Sequence, residues 1–358
     1  MIQSLQIGRG LAALAVVLFH NSAMFGDPRY GYPQPFRPFV SHGYLGVDFF
    51  FVLSGFIILF AHRNDIGKPI RLLKYMSKRI IRIYPMYLLF TAFALGGALA
   101  FGGVTRLPDG FGNLATMLTL IRFTEYETPI ATAWTLFNEM AFYALFATLL
   151  IDRRLGMVVL ALWFGVIAVQ FHYPPFGAWS FANCLLSANN LSFLVGICAF
   201  WGSSRLNRKA ALPCAALGAA LFALTLGMEA QVGHFDGLQF GYSLAFGLGM
   251  AGTVAMERFG KGLNARALCL LGDASYVLYL CHENVGSLMM KILMKTKLLA
   301  QINHELVFLG IVAATIVFAI IVHRLIERPL LDWLRIRSDA MVMRLNNIPR
   351  RSPDAPSG

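Results

Sequence analysis

The chain has 358 residues, of which 57% are hydrophobic and only 13% are charged, and its net charge is +12. A soluble domain carries about 25% charged residues, so this composition excludes a soluble globular protein. Apolar runs of membrane-spanning length recur along the chain, and they are continuous rather than alternating, which also excludes a transmembrane β-barrel. We therefore predict an all-α, polytopic integral membrane protein.

The apolar runs predict about ten transmembrane helices, each close to the ~20 residues that cross a bilayer. With the N-terminus in the cytoplasm, 23 of the 30 lysines and arginines fall in cytoplasmic segments, which predicts an N-in/C-in topology. The positive charge therefore indicates topology, and we expect no nucleic acid partner. The predicted spans are residues 7–25, 43–61, 83–103, 130–151, 155–171, 185–202, 210–230, 238–256, 268–290 and 304–323.

Residues 1–330 form the predicted transmembrane domain, and residues 331–358 form a predicted cytoplasmic tail. The tail begins as a helix and ends in a polar, proline-containing stretch, so we expect it to be partly disordered.

The first span carries two polar residues on one helix face. Arg9 and His20 bound the stretch RGLAALAVVLFH. At about 100° per residue, the eleven-residue spacing returns His20 to within roughly 20° of Arg9, about 16 Å along the axis. Exposure of this face to lipid would be costly, so we predict that it lines a cavity, with Arg9 at the cytoplasmic mouth. The alternative is a snorkelling arginine and a histidine bonded to a backbone carbonyl.

The cytoplasmic loop at residues 63–85 is basic. Lys78, Arg79 and Arg82 lie close together in it, and with Arg9 they are candidates for binding phosphates. The alternative is an ordinary positive-inside cluster against anionic lipid. The end of this loop predicts an amphipathic helix at the headgroup level, with these residues available to face lipid: Tyr75, Ile80, Ile81 and Ile83.

Other polar residues lie within the second, fourth and ninth spans. Intramembrane carboxylates and histidines are rare, and several at similar depth indicate a functional site, although a purely structural network is the alternative. A histidine beside a carboxylate suits proton transfer. No HExxH or similarly close spacing accompanies them, so we expect no metal. The candidates are Asp48 and Glu139 as catalytic groups, and Asn138, Tyr143, Ser275, Tyr279 and His282 as cavity residues.

Six stretches resemble motifs of the acyltransferase 3 family, the membrane O-acyltransferases of bacterial surface polysaccharides. Arg9 and His20 match its Arg–x10–His signature, and the other stretches follow in order up to residue 329. The short architecture is similar to the exopolysaccharide-modifying branch. The five further stretches read GYLGVDFFFVLSGF, KRIIRIYPMY, WTLFNEMAFY, LGDASYVLYLCH and IERP.

The resemblance implies a multi-pass protein of the bacterial inner membrane that transfers an acyl group, commonly acetyl, from cytoplasmic acyl-CoA to a sugar hydroxyl. It implies that Arg9 and His20 are essential, that Arg79 and Arg82 lie near the donor, and that Glu139 belongs to the fourth-span motif. The expected partners are acyl-CoA as donor substrate, a glycan or lipid-linked glycan acceptor and membrane lipid, with no permanently bound cofactor.

The residues themselves are compatible with this mechanism. The phosphates of CoA could dock on Arg9, Arg79 and Arg82 while the pantetheine arm extends toward His20. His20 would then activate the acceptor hydroxyl or carry the acyl group transiently, and the sequence leaves both chemistries open. The main rival is a proton-coupled transporter or a flippase of a lipid-linked glycan, which would also need buried histidine and carboxylate groups. A receptor-like or scaffold protein would leave those groups unexplained.

Overall fold

The computed structural model describes residues 2–101, 107–171, 180–260, 265–296 and 301–345. Within these ranges the regular structure is entirely helical, which confirms the predicted all-α class. The α-helices are α1 (Gln3–Phe25), α2 (Arg37–Val40), α3 (Gly46–His62), α4 (Leu72–Phe101), α5 (Gly110–Thr119), α6 (Trp134–Ile151), α7 (Arg153–Gln170), α8 (Phe181–Leu186), α9 (Leu191–Arg205), α10 (Arg208–Val232), α11 (Asp236–Arg258), α12 (Arg266–Asp273), α13 (Ser275–Lys295), α14 (His304–Val322) and α15 (Arg328–Leu345).

Eight helical segments of the described ranges are long and apolar enough to cross a membrane. They overlap eight of the ten predicted spans and support a multi-pass membrane protein. The other two predicted spans overlap α11 and the pair α12–α13, whose sequences contain more glycine, polar and charged residues. The count of ten spans and the N-in/C-in orientation therefore stay predictions.

The basic segment and the predicted third span form one continuous helix, α4. The prediction that this stretch faces lipid is wrong for Tyr75 and Ile83, which are each only 1% exposed and pack inside the protein, whereas Ile80 is 44% exposed. The position of the stretch at the headgroup level stays a prediction. The Tyr75 hydroxyl donates to the Tyr143 carbonyl of α6 at 2.9 Å. This packing turns one side of the basic segment, which carries Arg79 and Arg82, toward the protein interior.

Two glycines allow the close helix contacts on which the interior arrangement depends. A Cβ at Gly46, where α3 begins, would lie 2.4 Å from the Ala12 carbonyl oxygen of α1. A Cβ at Gly272 in α12 would lie 2.1 Å from the Gln6 carbonyl oxygen. Neither position has room for a side chain, so α3 and α12 can approach the α1 backbone directly.

The C-terminal helices pack back onto α4. One π-helical segment, His323–Glu327, joins α14 to α15, and Glu327 is completely buried there. Lys74 of α4 pairs with Asp339 of α15 at 3.1 Å. The end of the predicted cytoplasmic tail, residues 346–358, lies outside the described residues, and its predicted disorder and the domain boundary at residue 330 stay predictions.

Candidate active site

A cavity of about 350 Å³ lies between α1, α3, α4, α6 and α13. This volume falls within the range of small-molecule sites, about 300–1,000 Å³. Most of the sequence-predicted site residues line it, although they come from four different helices. Its polar and tyrosine lining residues are Gln6, Arg9, Ser54, Arg79, Arg82, Thr135, Glu139, Tyr143, Ser275, Tyr276 and Tyr279.

Arg9 is held by two neutral groups. Its Nη1 donates to Gln6 Oε1 at 2.8 Å, and its Nη2 donates to Ser275 Oγ at 2.9 Å. Gln6 is in turn anchored by Asp273, whose Oδ1 accepts from Gln6 Nε2 at 2.5 Å. The two hydrogen bonds of Arg9 orient its guanidinium at the cavity. Because neither direct partner is charged, neither neutralises its positive charge.

Arg79 is oriented by a histidine and two aromatic rings. Its Nη2 lies 3.2 Å from His62 Nε2, and the guanidinium lies over the rings of Tyr75 and Tyr143, at 5.9 and 5.3 Å from their centroids. His62 Nδ1 lies 2.9 Å from Asp65 Oδ2, so His62 can donate there and accept from Arg79. The Arg79 Nε atom is buried, and no described residue bonds to it. A buried donor without a partner is uncommon in a folded protein.

Arg82 has a carboxylate partner, unlike Arg79. Its Nη1 donates to Glu327 Oε1 at 3.0 Å, and the guanidinium lies over the Tyr276 ring. The other Glu327 oxygen lies 2.6 Å from His323 Nδ1. Lys78 was predicted to bind the donor with these arginines, but its side chain is exposed and does not line the cavity. One residue along a helix is a rotation of about 100°, which turns Lys78 away from the side used by Arg79.

Glu139 lies on α6 and lines the same cavity as Arg9, Arg79 and Arg82. Its Oε1 accepts from Ser54 Oγ at 2.7 Å and from the Tyr143 hydroxyl. The carboxylate is therefore fixed against two hydroxyl groups and is placed to balance part of the positive charge of the cavity.

Two predicted site residues lie away from this cavity. Asp48 is 2% exposed, and both of its oxygens accept from Gln239 Nε2 of α11, at 3.3 and 3.4 Å. Asn138 donates to the Cys184 carbonyl and to Asn190 Oδ1, each at 3.1 Å. Neither residue lines the cavity. The structure thus places neither Asp48 nor Asn138 at this cavity, and the catalytic role of Asp48 stays a prediction.

His20 lies beyond the cavity and next to a second histidine. Its Nδ1 is 3.0 Å from His282 Nε2, and its Nε2 is 3.7 Å from Glu283 Oε1. His282 is completely buried, whereas the side chains of His20 and Glu283 are 27% and 34% exposed. Tyr279 connects the two regions, because its ring lines the cavity and its carbonyl oxygen lies 2.8 Å from His282 Nδ1.

His20, His282 and Glu283 each offer one possible metal-ligating atom, and these atoms lie within 4.8 Å of one another. The 3.0 Å separation of the two ring nitrogens is the length of a direct hydrogen bond. We therefore treat the group as a hydrogen-bonded cluster.

Sequence reasoning missed several residues that hold the charged groups of the site. Gln6 lies three residues before Arg9, the spacing of neighbours on a helix, and this signal was available. Glu327 lies within the recognised stretch IERP, but nothing in the sequence indicated its pairing with Arg82, which is 245 residues away. Ser54, which binds Glu139, is one of many small residues in an apolar span and carried no signal.

The fold and site define a polytopic helical membrane protein with an arginine-lined internal cavity beside a histidine pair. Comparison with protein families agrees: a model described as an acyltransferase domain matches residues 2–324. The chain belongs to the acyltransferase 3 family and is a membrane acyltransferase.

Two curated relatives come from rhizobia. The chain is 31% identical to exopolysaccharide production protein ExoZ of Rhizobium meliloti (strain 1021), over 82% of this chain and 92% of the relative. It is 30% identical to protein 2 in the picA locus of Rhizobium radiobacter, over 39% of this chain and 77% of that protein. No solved structure matches the chain.

Proposed function

We propose that this protein transfers an acetyl group from cytoplasmic acetyl-CoA to a hydroxyl of an exported or surface polysaccharide, or of its lipid-linked precursor, in the bacterial inner membrane. The observation that supports this proposal best is the meeting of Arg9, Arg79 and Arg82 in one cavity. Guanidinium groups bind phosphate through paired donors, and CoA carries a pyrophosphate and a 3′-phosphate.

The arginines differ in what they can offer the donor. Arg9 is bound only to neutral groups, and Arg79 has a buried Nε without a described partner. Arg82 already pairs with Glu327 through one nitrogen. Arg9 and Arg79 are therefore the primary phosphate ligands of this proposal, and Arg82 contributes its remaining donors and the orientation of its neighbours.

The thioester would extend from the arginines past Tyr279 toward His20. The axial distance between Arg9 and His20 is about 16 Å, which an extended pantetheine arm spans. The acceptor hydroxyl gives its proton to His20, its oxygen attacks the thioester carbon, and the carbon–sulfur bond breaks. The departing CoA sulfur takes the proton back, so the products are an ester and free CoA. A transient acyl-histidine would give the same products in two steps.

The acceptor class is proposed from the relative ExoZ, an exopolysaccharide production protein. The partial exposure of His20 and Glu283, against the complete burial of His282, fits access of a large acceptor from that side.

The direct test uses purified protein in lipid vesicles with acetyl-CoA labelled on the acetyl group and the host's polysaccharide. We expect label in the glycan and release of free CoA, and both should be lost in a folded His20→Gln variant, because an amide cannot take the proton. A protein that moves a lipid-linked glycan across the vesicle while leaving acetyl-CoA intact would instead be a flippase and would refute the proposal.

A further inference from the structure

The histidine pair next to the cavity determines which nitrogen of His20 is available for chemistry. A neutral imidazole carries one N–H and one lone pair, and its neighbours decide their positions. His20 and His282 come from α1 and α13 and meet through His20 Nδ1 and His282 Nε2 at 3.0 Å. One of these two nitrogens must donate and the other must accept.

The surroundings of His282 settle its own tautomer. Its Nδ1 lies 2.8 Å from the Tyr279 carbonyl oxygen and 3.2 Å from the Leu278 carbonyl oxygen. A carbonyl oxygen only accepts hydrogen bonds, so Nδ1 carries the proton. His282 is completely buried, where an unpaired charge is costly, so the ring is neutral and its Nε2 is a lone pair.

The tautomer of His20 follows from that of His282. Because His282 Nε2 accepts, His20 Nδ1 must donate, and the lone pair of a neutral His20 resides on Nε2. This Nε2 faces Glu283 at 3.7 Å, too far for a direct hydrogen bond, on the partly exposed side of the cluster. A hydroxyl group can therefore reach Nε2 without displacing a bonded partner.

We propose that His282 is a positioning residue that holds His20 in the Nδ1–H tautomer and thereby makes His20 Nε2 the reacting nitrogen. When Nε2 takes the acceptor's proton, the resulting imidazolium keeps its Nδ1–H bond to His282 and gains the Glu283 carboxylate as a counter-charge. If His20 carries the acyl group instead, the same Nε2 attacks the thioester carbon and the carbon–sulfur bond breaks, with CoA leaving as the thiolate. The acceptor oxygen then displaces Nε2 from the acyl carbon, and the hydroxyl proton passes to the CoA sulfur. The catalytic consequence rests on the function proposed above, whereas the tautomer itself does not.

The tautomer is tested without any activity measurement. Protein labelled with ¹⁵N-histidine is placed in lipid nanodiscs, and the signals of His20 among the eight histidines are assigned by their loss in His20→Gln. We expect the pattern of a neutral ring protonated at Nδ1. A wild-type His20 protonated at Nε2 would overturn the proposal even if acyl transfer is confirmed.

The effect of His282 on acyl transfer is tested by measuring the activity of two His282 variants. His282→Leu removes one of the two groups that bond to the His20 ring, the other being the Val16 carbonyl, so the His20 ring is oriented less tightly. We expect kcat to fall about 10–100-fold with unchanged donor binding. His282→Gln keeps an amide oxygen near the position of Nε2 and should stay close to wild type. Equal losses in both folded variants would overturn the positioning role, as would a stoichiometric metal ion whose removal by a chelator abolishes transfer.

If His282→Leu fails to fold, the wild-type spectrum and the Gln variant still decide the question. A protein with the expected spectrum but no transfer from acetyl-CoA would refute the proposed function while leaving the tautomer assignment in place.

Discussion

Arg79 and Lys78 form a matched pair for testing the donor site. Both carry one positive charge on adjacent residues of α4, but only Arg79 lines the cavity. A hydrogen bond to a charged group contributes about 1.5–3 kcal/mol, so loss of one guanidinium–phosphate contact in Arg79→Ala should weaken acyl-CoA binding roughly ten- to a hundredfold. Lys78→Ala removes the same charge from the exposed side, where charge interactions contribute at most about 1 kcal/mol, and binding should fall less than about fivefold.

The assay is equilibrium binding of labelled acetyl-CoA to each purified variant in the same lipid, with thermal midpoints measured in parallel. Arg79→Lys adds a second comparison: it keeps the charge but loses the Nε donor and the planar fork, so its affinity should be intermediate. A donor that lacks the 3′-phosphate shows which phosphate Arg79 binds. If Arg79 binds the 3′-phosphate, wild type and Arg79→Ala should bind this donor with equal affinity. If Arg79 binds the pyrophosphate, Arg79→Ala should still bind it more weakly. Equal binding by folded Arg79→Ala and Lys78→Ala would refute this reasoning and favour a lipid-binding cluster.

Three further predictions follow from the charge pattern and the packing. Cysteine labels placed in residues 26–43 should react from outside intact cells, whereas labels near Lys68 should react only after permeabilisation; the reverse pattern would overturn the N-in topology. Glu327→Gln removes a buried charge that pairs with Arg82, so the thermal midpoint should fall, and an unchanged midpoint would contradict the pairing. Gly272→Ala should cost about 1–3 kcal/mol because its Cβ would meet the Gln6 carbonyl. Gly310→Ala, which meets nothing within 4 Å, should leave the thermal midpoint unchanged or raised, and equal midpoints would contradict the packing argument.

The sequence predicted best those features that depend on a single helix. The spacing of Arg9 and His20 predicted a shared face on α1, and both side chains do contact the same neighbour: Arg9 bonds Ser275 and His20 bonds His282, both in α13. The long apolar runs likewise predicted the helices themselves. These features depend on the 3.6-residue period and on residue polarity, which are local properties of the chain.

The sequence was least informative where a residue's role depended on a distant helix. Asp48 was predicted to lie with the other catalytic candidates, but it does not line the cavity, and its oxygens accept from Gln239, 191 residues further along the chain. Lys78 and Arg79 are equivalent in a basic run until the packing of α4 turns one of them inward. Which side of a helix faces a cavity is set by long-range contacts, and no single-sequence pattern encodes it.

The placement of both key groups on α1 has a mechanistic consequence. The distance from the arginine that would hold the donor to the histidine that would react is set by eleven residues of one helix, and not by loops that could move independently. The Ser275 and His282 contacts then tie both ends of this stretch to a second helix, α13. A donor anchored by its phosphates at Arg9 would therefore deliver its thioester at a nearly constant height relative to His20 Nε2. Positioning of this kind lowers a barrier through orientation alone, before any proton moves.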